Sequence, residues 1–196
     1  MTGFLAVTKR ELRAYFNSPI AYIFIVVFLL LASWLFFRGY FLYGQADLRP
    51  FFSLLPWMFL FFVPAVAMRL WAEERKMGTV EVLLTMPVRD EAVILGKFVA
   101  GLALITLTVL LEFPLVWLTA HLGNLDPGPV IGGFLGAVFL GGAYLAIGMF
   151  VSSITENQIV AFILGVVACF APFALGAHFV LLGARTDLAR LCRGVG

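Results

Sequence analysis

The sequence predicts an all-α, polytopic membrane protein of about five spans, with an interfacial helix at the N-terminus and a short helix outside the bilayer between spans 2 and 3. Three observations predict it. First, 63% of the 196 residues are hydrophobic and 12% charged, with a mean hydropathy of +1.06; a soluble domain is about half apolar and about a quarter charged. This chain has too little polar surface to cover a soluble fold. Second, the apolar residues fall in long runs, and at roughly 20 residues per transmembrane helix the length holds about five spans with short loops. Third, nine charged residues crowd into Arg69–Glu91, between two of those runs. Residues 1–196 thus read as one transmembrane domain, with segments 1–18 and 69–91 lying outside the spans.

Met1 to Ser18 places Phe4, Leu5, Thr8, Leu12, Tyr15 and Phe16 at helical spacing, with Lys9, Arg10, Glu11 and Arg13 elsewhere. Such a pattern suits a helix lying in the membrane interface; a frayed tail is the blander reading. Ser18-Pro19 reads as an N-cap followed by proline at the first helical position. Span 1 runs from about Ile20 to Phe37, and Arg38 to Pro50 is a loop with boundary aromatics Tyr40 and Tyr43. Span 2 covers about Phe51 to Met68, with Pro56 and Pro64 inside it. Prolines in a membrane helix free carbonyls that neighbours must satisfy, so span 2 is expected inside the bundle.

The charged stretch comes next. Arg69 to Met77 can extend span 2 into water, with Arg75 and Lys76 at the negative end of the helix. Gly78 is a natural stop. Thr79 can cap a very short helix, Val80 to Thr85, ended by Pro87. Asp90 and Glu91 supply acids to the start of the next helix. A helix that short is unstable alone and needs the membrane surface or a partner. Held by Gly78 and Pro87, it moves as a unit with spans 2 and 3.

Span 3 extends from about Ala92 to Ala120. Lys97 near its start can snorkel to water. Glu112, beside Pro114, is an ionisable residue inside a span and so a functional candidate; the plainer reading is an acid near the far interface, hydrogen-bonded within the bundle. After a turn-rich loop, span 4 covers about Val130 to Val151. Its small residues pair four apart: Gly132 with Gly136, Ala137 with Gly141, Gly142 with Ala146, Gly148 with Ser152. That spacing permits close helix approach. Thr155 and Gln158 form a capping-box pattern for span 5, about Ile159 to Leu175. His178 to Leu182 is apolar but too short to span, and a tail from Ala184 carries Arg185, Arg190 and Arg193.

Cationic residues of the N-terminal segment and of the 69–91 stretch place both in the cytoplasm by the positive-inside rule. Five spans then put the tail arginines outside, against the rule. A sixth span absent from this chain reconciles the two, and we expect that; an exterior interfacial tail is the other solution.

Several chemistries have no support in the sequence. There is no G-x-x-x-x-G-K-[ST] loop, no nucleophile elbow, no zinc-ligand spacing around His121, His178, Cys169 or Cys192, and nothing that points to nucleic acid. The chain reads as a scaffold without a catalytic centre, cofactor or metal of its own.

Glu74-Arg75-Lys76-Met77-Gly78-Thr79-Val80-Glu81-Val82-Leu83-Leu84-Thr85-Met86-Pro87-Val88, followed by Gly96-Lys97, resembles the signature of type-2 ABC exporter permeases. Thr155-Glu156-Asn157-Gln158-Ile159-Val160-Ala161 is similar to that family's second cytoplasmic turn. The nearest branch is the small permeases of the gliding-motility and nitrous-oxide-reductase-maturation type. The resemblance implies a multi-pass protein of the bacterial inner membrane with a cytoplasmic N-terminus. Residues 1–18 become a connecting helix and the 69–91 stretch a coupling hairpin seated on a separate ATP-binding subunit. The working unit is two permease halves, identical or homologous, and two ATPases that hold the ATP and Mg. Glu74, Gly78, Thr79, Glu81, Leu84, Thr85 and Pro87 match the motif, and Glu73 adjoins it. Reversing Glu73 and Glu74 is then expected to weaken ATPase docking. Family members usually have six spans. The other class of function is a non-transporting membrane anchor that docks a soluble complex through the same hairpin, and an effect on the partner's ATPase rate separates the two.

Overall fold

The computed structural model describes residues 2–43, 47–78, 89–123 and 125–193, and among them every regular element is a helix. In chain order these are α1 (Thr2–Asn17), α2 (Pro19–Tyr43), α3 (Arg49–Lys76), α4 (Asp90–Leu110), α5 (Phe113–Leu122), α6 (Pro127–Ile154) and α7 (Gln158–Arg193). Among the described residues five stretches are long and apolar enough to cross a membrane: Ala21–Tyr40, Arg49–Lys76, Asp90–Leu122, Pro127–Ile154 and Gln158–Gly176. The chain is a polytopic α-helical membrane protein. Its outward faces are apolar, as lipid requires: Leu30, Phe139, Phe150 and Ile159 are each at least two-thirds exposed.

The middle of the bundle is α3. It packs against α6 and α7 on one side and α2 on the other, and α1 lies against α4. Half of its most apolar window is buried, including Phe59, Val63 and Ala67. Aromatic rings join α2 to it, with Phe28 edge-on to Phe62 at 5.2 Å and stacked on Phe59 at 5.8 Å. On the other side small residues let backbones meet. A Cβ on Gly148 would lie 2.6 Å from Ala67 Cβ, and one on Gly141 would lie 2.8 Å from Ile105 Cγ2. Pro64 Cβ lies 3.1 Å from the position a Cβ on Gly165 of α7 would take.

Several elements differ from the sequence expectation. The first membrane helix does not end at Phe37 but continues to Tyr43; Arg38 stays helical and lays its guanidinium over Trp34, one turn back, at 5.9 Å. Span 3 is broken. Pro114 cannot donate to the carbonyl one turn before it, and the chain takes a tight turn in which Glu112 N–H reaches Val109 O and Leu115 N–H reaches Glu112 O. Asn157, not Thr155, caps the last helix: its side chain accepts from Ile159 N–H at 3.0 Å, while the Thr155 hydroxyl turns back to Val151 O. The last span, Gln158–Gly176, matches the expected Ile159–Leu175, but its helix does not end there. It continues as one helix to Arg193, because nothing after Pro172 forbids helical φ or withholds an N–H.

The stop after α3 is of the expected kind. Met77 N–H bonds back to Glu73 O, and Gly78 adopts φ +68°, a left-handed conformation that glycine reaches without steric cost. The short helix expected at Val80–Thr85 falls outside the described residues.

Candidate functional site

Where α3 ends and α4 begins, four charged side chains from three helices close into a square. Lys97 of α4 is 1% exposed and gives its ammonium to Glu74 Oε1 at 2.8 Å and Glu11 Oε1 at 3.3 Å. Arg10 bonds the same two oxygens, Glu11 at 2.8 Å and Glu74 at 3.2 Å. Two cations alternate with two carboxylates, so the group is neutral as a whole. Lys97 also donates to Leu70 O at 2.9 Å and lies 5.2 Å from the centre of the Trp71 ring. Three donors and three acceptors, with an aromatic face beside them, leave this ammonium with nothing to seek in water. Lys97 therefore does not snorkel, contrary to the sequence expectation.

Local sequence explains how α1 comes near enough. Gly96 precedes Lys97, and a Cβ on it would sit 2.8 Å from Val7 Cγ1. The missing side chain lets α1 rest on α4, which brings Glu11, one turn on from Val7, over the lysine. The buried stripe of α1 is therefore Val7, Glu11 and Tyr15, whereas Leu5 is exposed. Glu11 was expected on the polar side; the buried cation draws it inward.

A second pair adjoins the square. Arg69 and Glu73, one turn apart on α3, bond through Nε–Oε2 at 2.8 Å and Nη2–Oε1 at 3.3 Å, and Arg69 Nη1 reaches Ser18 Oγ at 3.4 Å. Tyr15 is buried against them. Burial first, and then the negative charge of Glu11, push its phenol above the ordinary tyrosine range, and it stays protonated.

From α6, Ser152 enters the same region. Its fully buried hydroxyl accepts from Ala72 N–H at 3.1 Å and Trp71 N–H at 3.3 Å and donates to Met68 O at 3.1 Å. Residues 68 and 72 are the two ends of one helical turn, so a side chain of α6 bridges the α3 backbone just below the charges. The sequence marks Ser152 only as a small residue. Its signal was there: a serine one turn from Gly148, at the level where α3 turns polar. The signal for Glu11 was a charge count, since a lysine one turn into an apolar run needs an acid from elsewhere.

Of the residues singled out in the sequence, the structure brings Glu73, Glu74 and Lys97 together, with Gly78 closing the helix above them. Thr79, Glu81, Leu84, Thr85 and Pro87 lie outside the described residues. Glu112 is far from this cluster in sequence terms and structure alike: it sits 2% exposed at the break in span 3, with Ser33 Oγ donating to its Oε2 at 3.4 Å and no partner for Oε1 among the described residues. Gly141 and Gly148 lie at helix contacts, whereas Gly132 and Gly136 face outward with nothing within 4 Å. Gly133, which the spacing did not single out, is the one pressed on the Phe52 ring. Among the described residues no three His, Cys, Asp or Glu side chains converge as metal ligands.

Compared with known protein families, residues 15–189 match the ABC-2 family transporter proteins. The chain belongs to that family. As an ABC-2 protein it is the membrane component of an ABC transporter, a permease subunit of a type without an ATP-binding site of its own, and membership implies a separate ATP-binding subunit as partner. No curated protein and no solved structure matched the chain.

Proposed function

We propose that this ABC-2 protein is one permease half of an ATP-driven exporter of the small gliding-motility and nitrous-oxide-reductase-maturation type. Two such halves work with two ATPases that hold ATP and Mg. The 69–91 stretch is the coupling hairpin, presented to the ATPase on the cytoplasmic side of a bacterial inner membrane, and α1 is the interfacial connecting helix.

One observation carries the reading. The two feet of the 79–88 segment are tied to each other and to α1: Glu74 stands at the end of α3, Lys97 in the second turn of α4, and they are 2.8 Å apart. A force on the segment between them reaches both spans together. Without that tie, α3 and α4 would take up the push separately and part of it would be lost in spreading them.

On this reading the motif divides in two. Glu73 and Glu74 are bonded within the chain, so their charge serves first to hold the feet together. Glu81, Leu84 and Thr85 are the residues that meet the ATPase. Reversing Glu73 and Glu74 thus breaks the square as well as any docking contact, and Glu81→Lys is the cleaner test. The tagged chain is purified in mild detergent from its native cells. We expect a co-purifying subunit with a phosphate-binding loop, whose ATPase rate changes when the permease is present and whose recovery falls with Glu81→Lys. Recovery of the ATPase with no change in its rate favours the membrane-anchor reading. A well-folded chain that brings no such subunit overturns the proposal.

A further inference from the structure

Between the first two membrane helices lies a cleft of about 320 Å³, walled by Phe24, Val27, Phe62, Ala65 and, from α7, Phe162. Tyr15 and Arg69 line its end. The same two residues also line a small polar recess of about 60 Å³, together with Glu11 and Glu73. An apolar slot and a charged cup therefore meet at Tyr15 and Arg69. Ile23, Val27 and Phe61 on the rim are each between 46% and 60% exposed on the lipid-facing outside of the bundle, so the slot opens sideways to acyl chains rather than to water.

We propose that this composite site holds one phospholipid with a primary-ammonium headgroup, an acyl chain in the cleft and its phosphate at Tyr15 and Arg69. The proposal does not depend on the exporter reading.

Three features select that lipid. The Tyr15 hydroxyl is in a side chain 8% exposed, yet has no hydrogen-bond partner among the described residues. A buried, protonated donor with no acceptor is costly unless something supplies one, and a phosphate oxygen does. Arg69 carries five N–H donors, of which its bonds to Glu73 and Ser18 use three, leaving donors for the same phosphate. The acids complete the match. Glu11 engages Arg10 and Lys97 through Oε1 and keeps Oε2 for a further donor, and Glu73 lies across the recess. A primary ammonium can donate to both. A trimethylammonium has no N–H to donate and is bulky for a recess of about 60 Å³, and a headgroup with net negative charge meets two carboxylates.

The test uses the full chain, stripped of lipid in detergent and then offered dioleoyl phosphatidylethanolamine, phosphatidylcholine or phosphatidylglycerol singly, with retained lipid counted by native mass spectrometry. We expect one ethanolamine lipid per chain, held about tenfold more strongly than the other two, in line with loss of one charge-assisted hydrogen bond. Tyr15→Phe should cut its retention by about tenfold on the same grounds, while leaving the melting temperature of the lipid-free protein unchanged, since the hydroxyl has no partner to lose among the described residues. Ala65→Phe, which fills the slot, should abolish retention of all three. Equal retention of the three lipids, retention unaffected by Tyr15→Phe, or a lower lipid-free melting temperature for that variant each overturns the proposal.

Discussion

Replacing Lys97 by Met removes the only fully buried cation of the square and little volume. Two carboxylates are left behind, with side chains 12% and 15% exposed, and half-exposed Arg10 stays bonded to both. Breaking a buried ion pair by deleting one partner costs about 3–5 kcal/mol. Arg10 and the residual solvent around the carboxylates bring the expectation to the lower end, about 3 kcal/mol. For a chain of this length that is a fall in melting temperature of about 6–12 °C at about 2–4 °C per kcal/mol. The assay is thermal unfolding of the purified chain in one detergent at one scan rate. The reasoning makes a second demand. If the penalty is uncompensated charge and not lost packing, adding Glu11→Gln and Glu74→Gln to Lys97→Met should restore most of the loss, because removing both halves of a buried pair is often nearly neutral. A single variant that melts within 2 °C of the parent, or a triple variant no better than the single one, refutes the argument.

Two further predictions concern the contact of α3 with α6. Ser152→Ala removes the hydroxyl that accepts from Trp71 and Ala72 N–H and should cost about 1–2 kcal/mol; hydrogen exchange at Trp71 and Ala72 should quicken relative to the rest of α3, and uniform exchange along the helix would count against the bridge. Gly148→Ala should lower stability by about 1–3 kcal/mol, less up to about 1 kcal/mol gained in helix propensity, because its Cβ meets Ala67 Cβ at 2.6 Å. Gly136→Ala, with open space around it, should be neutral or stabilising in the same melt, and equal losses at the two glycines would show that the contact is not what decides.

The features legible in the sequence are those set by solvent and by local backbone chemistry. Hydropathy located the five apolar helices, and Gly78, Asp90 and Glu91 marked the two edges of the charged stretch because a left-handed stop and acids at a helix start act within one turn. What was not legible depends on a partner distant in the chain. Glu11 looks solvent-facing until Lys97, 86 residues away, is brought beneath it. Ser152 looks like a spacer until α3 arrives. Arg38 reads as a helix end because a charge usually marks the membrane boundary, whereas the cation and Trp34 satisfy each other along the helix. Spacing alone could not say which glycines of α6 face α3, since Gly132, Gly133 and Gly136 differ only by rotation around the helix, and the Phe52 ring chose Gly133.

The break at Leu111–Glu112 changes what the third crossing can do mechanically. An unbroken helix of 33 residues would be a single rod of about 50 Å, and any tilt at Lys97 would reappear, enlarged, at its far tip. With an elbow after the 21 residues of α4, the lever arm is about 30 Å, close to the thickness of the hydrocarbon layer. A rocking of about 5° about the Asp90 end swings Leu110 sideways by roughly 3 Å over that arm. The arm thus ends at the depth of Glu112 and Ser33 and not at the opposite surface.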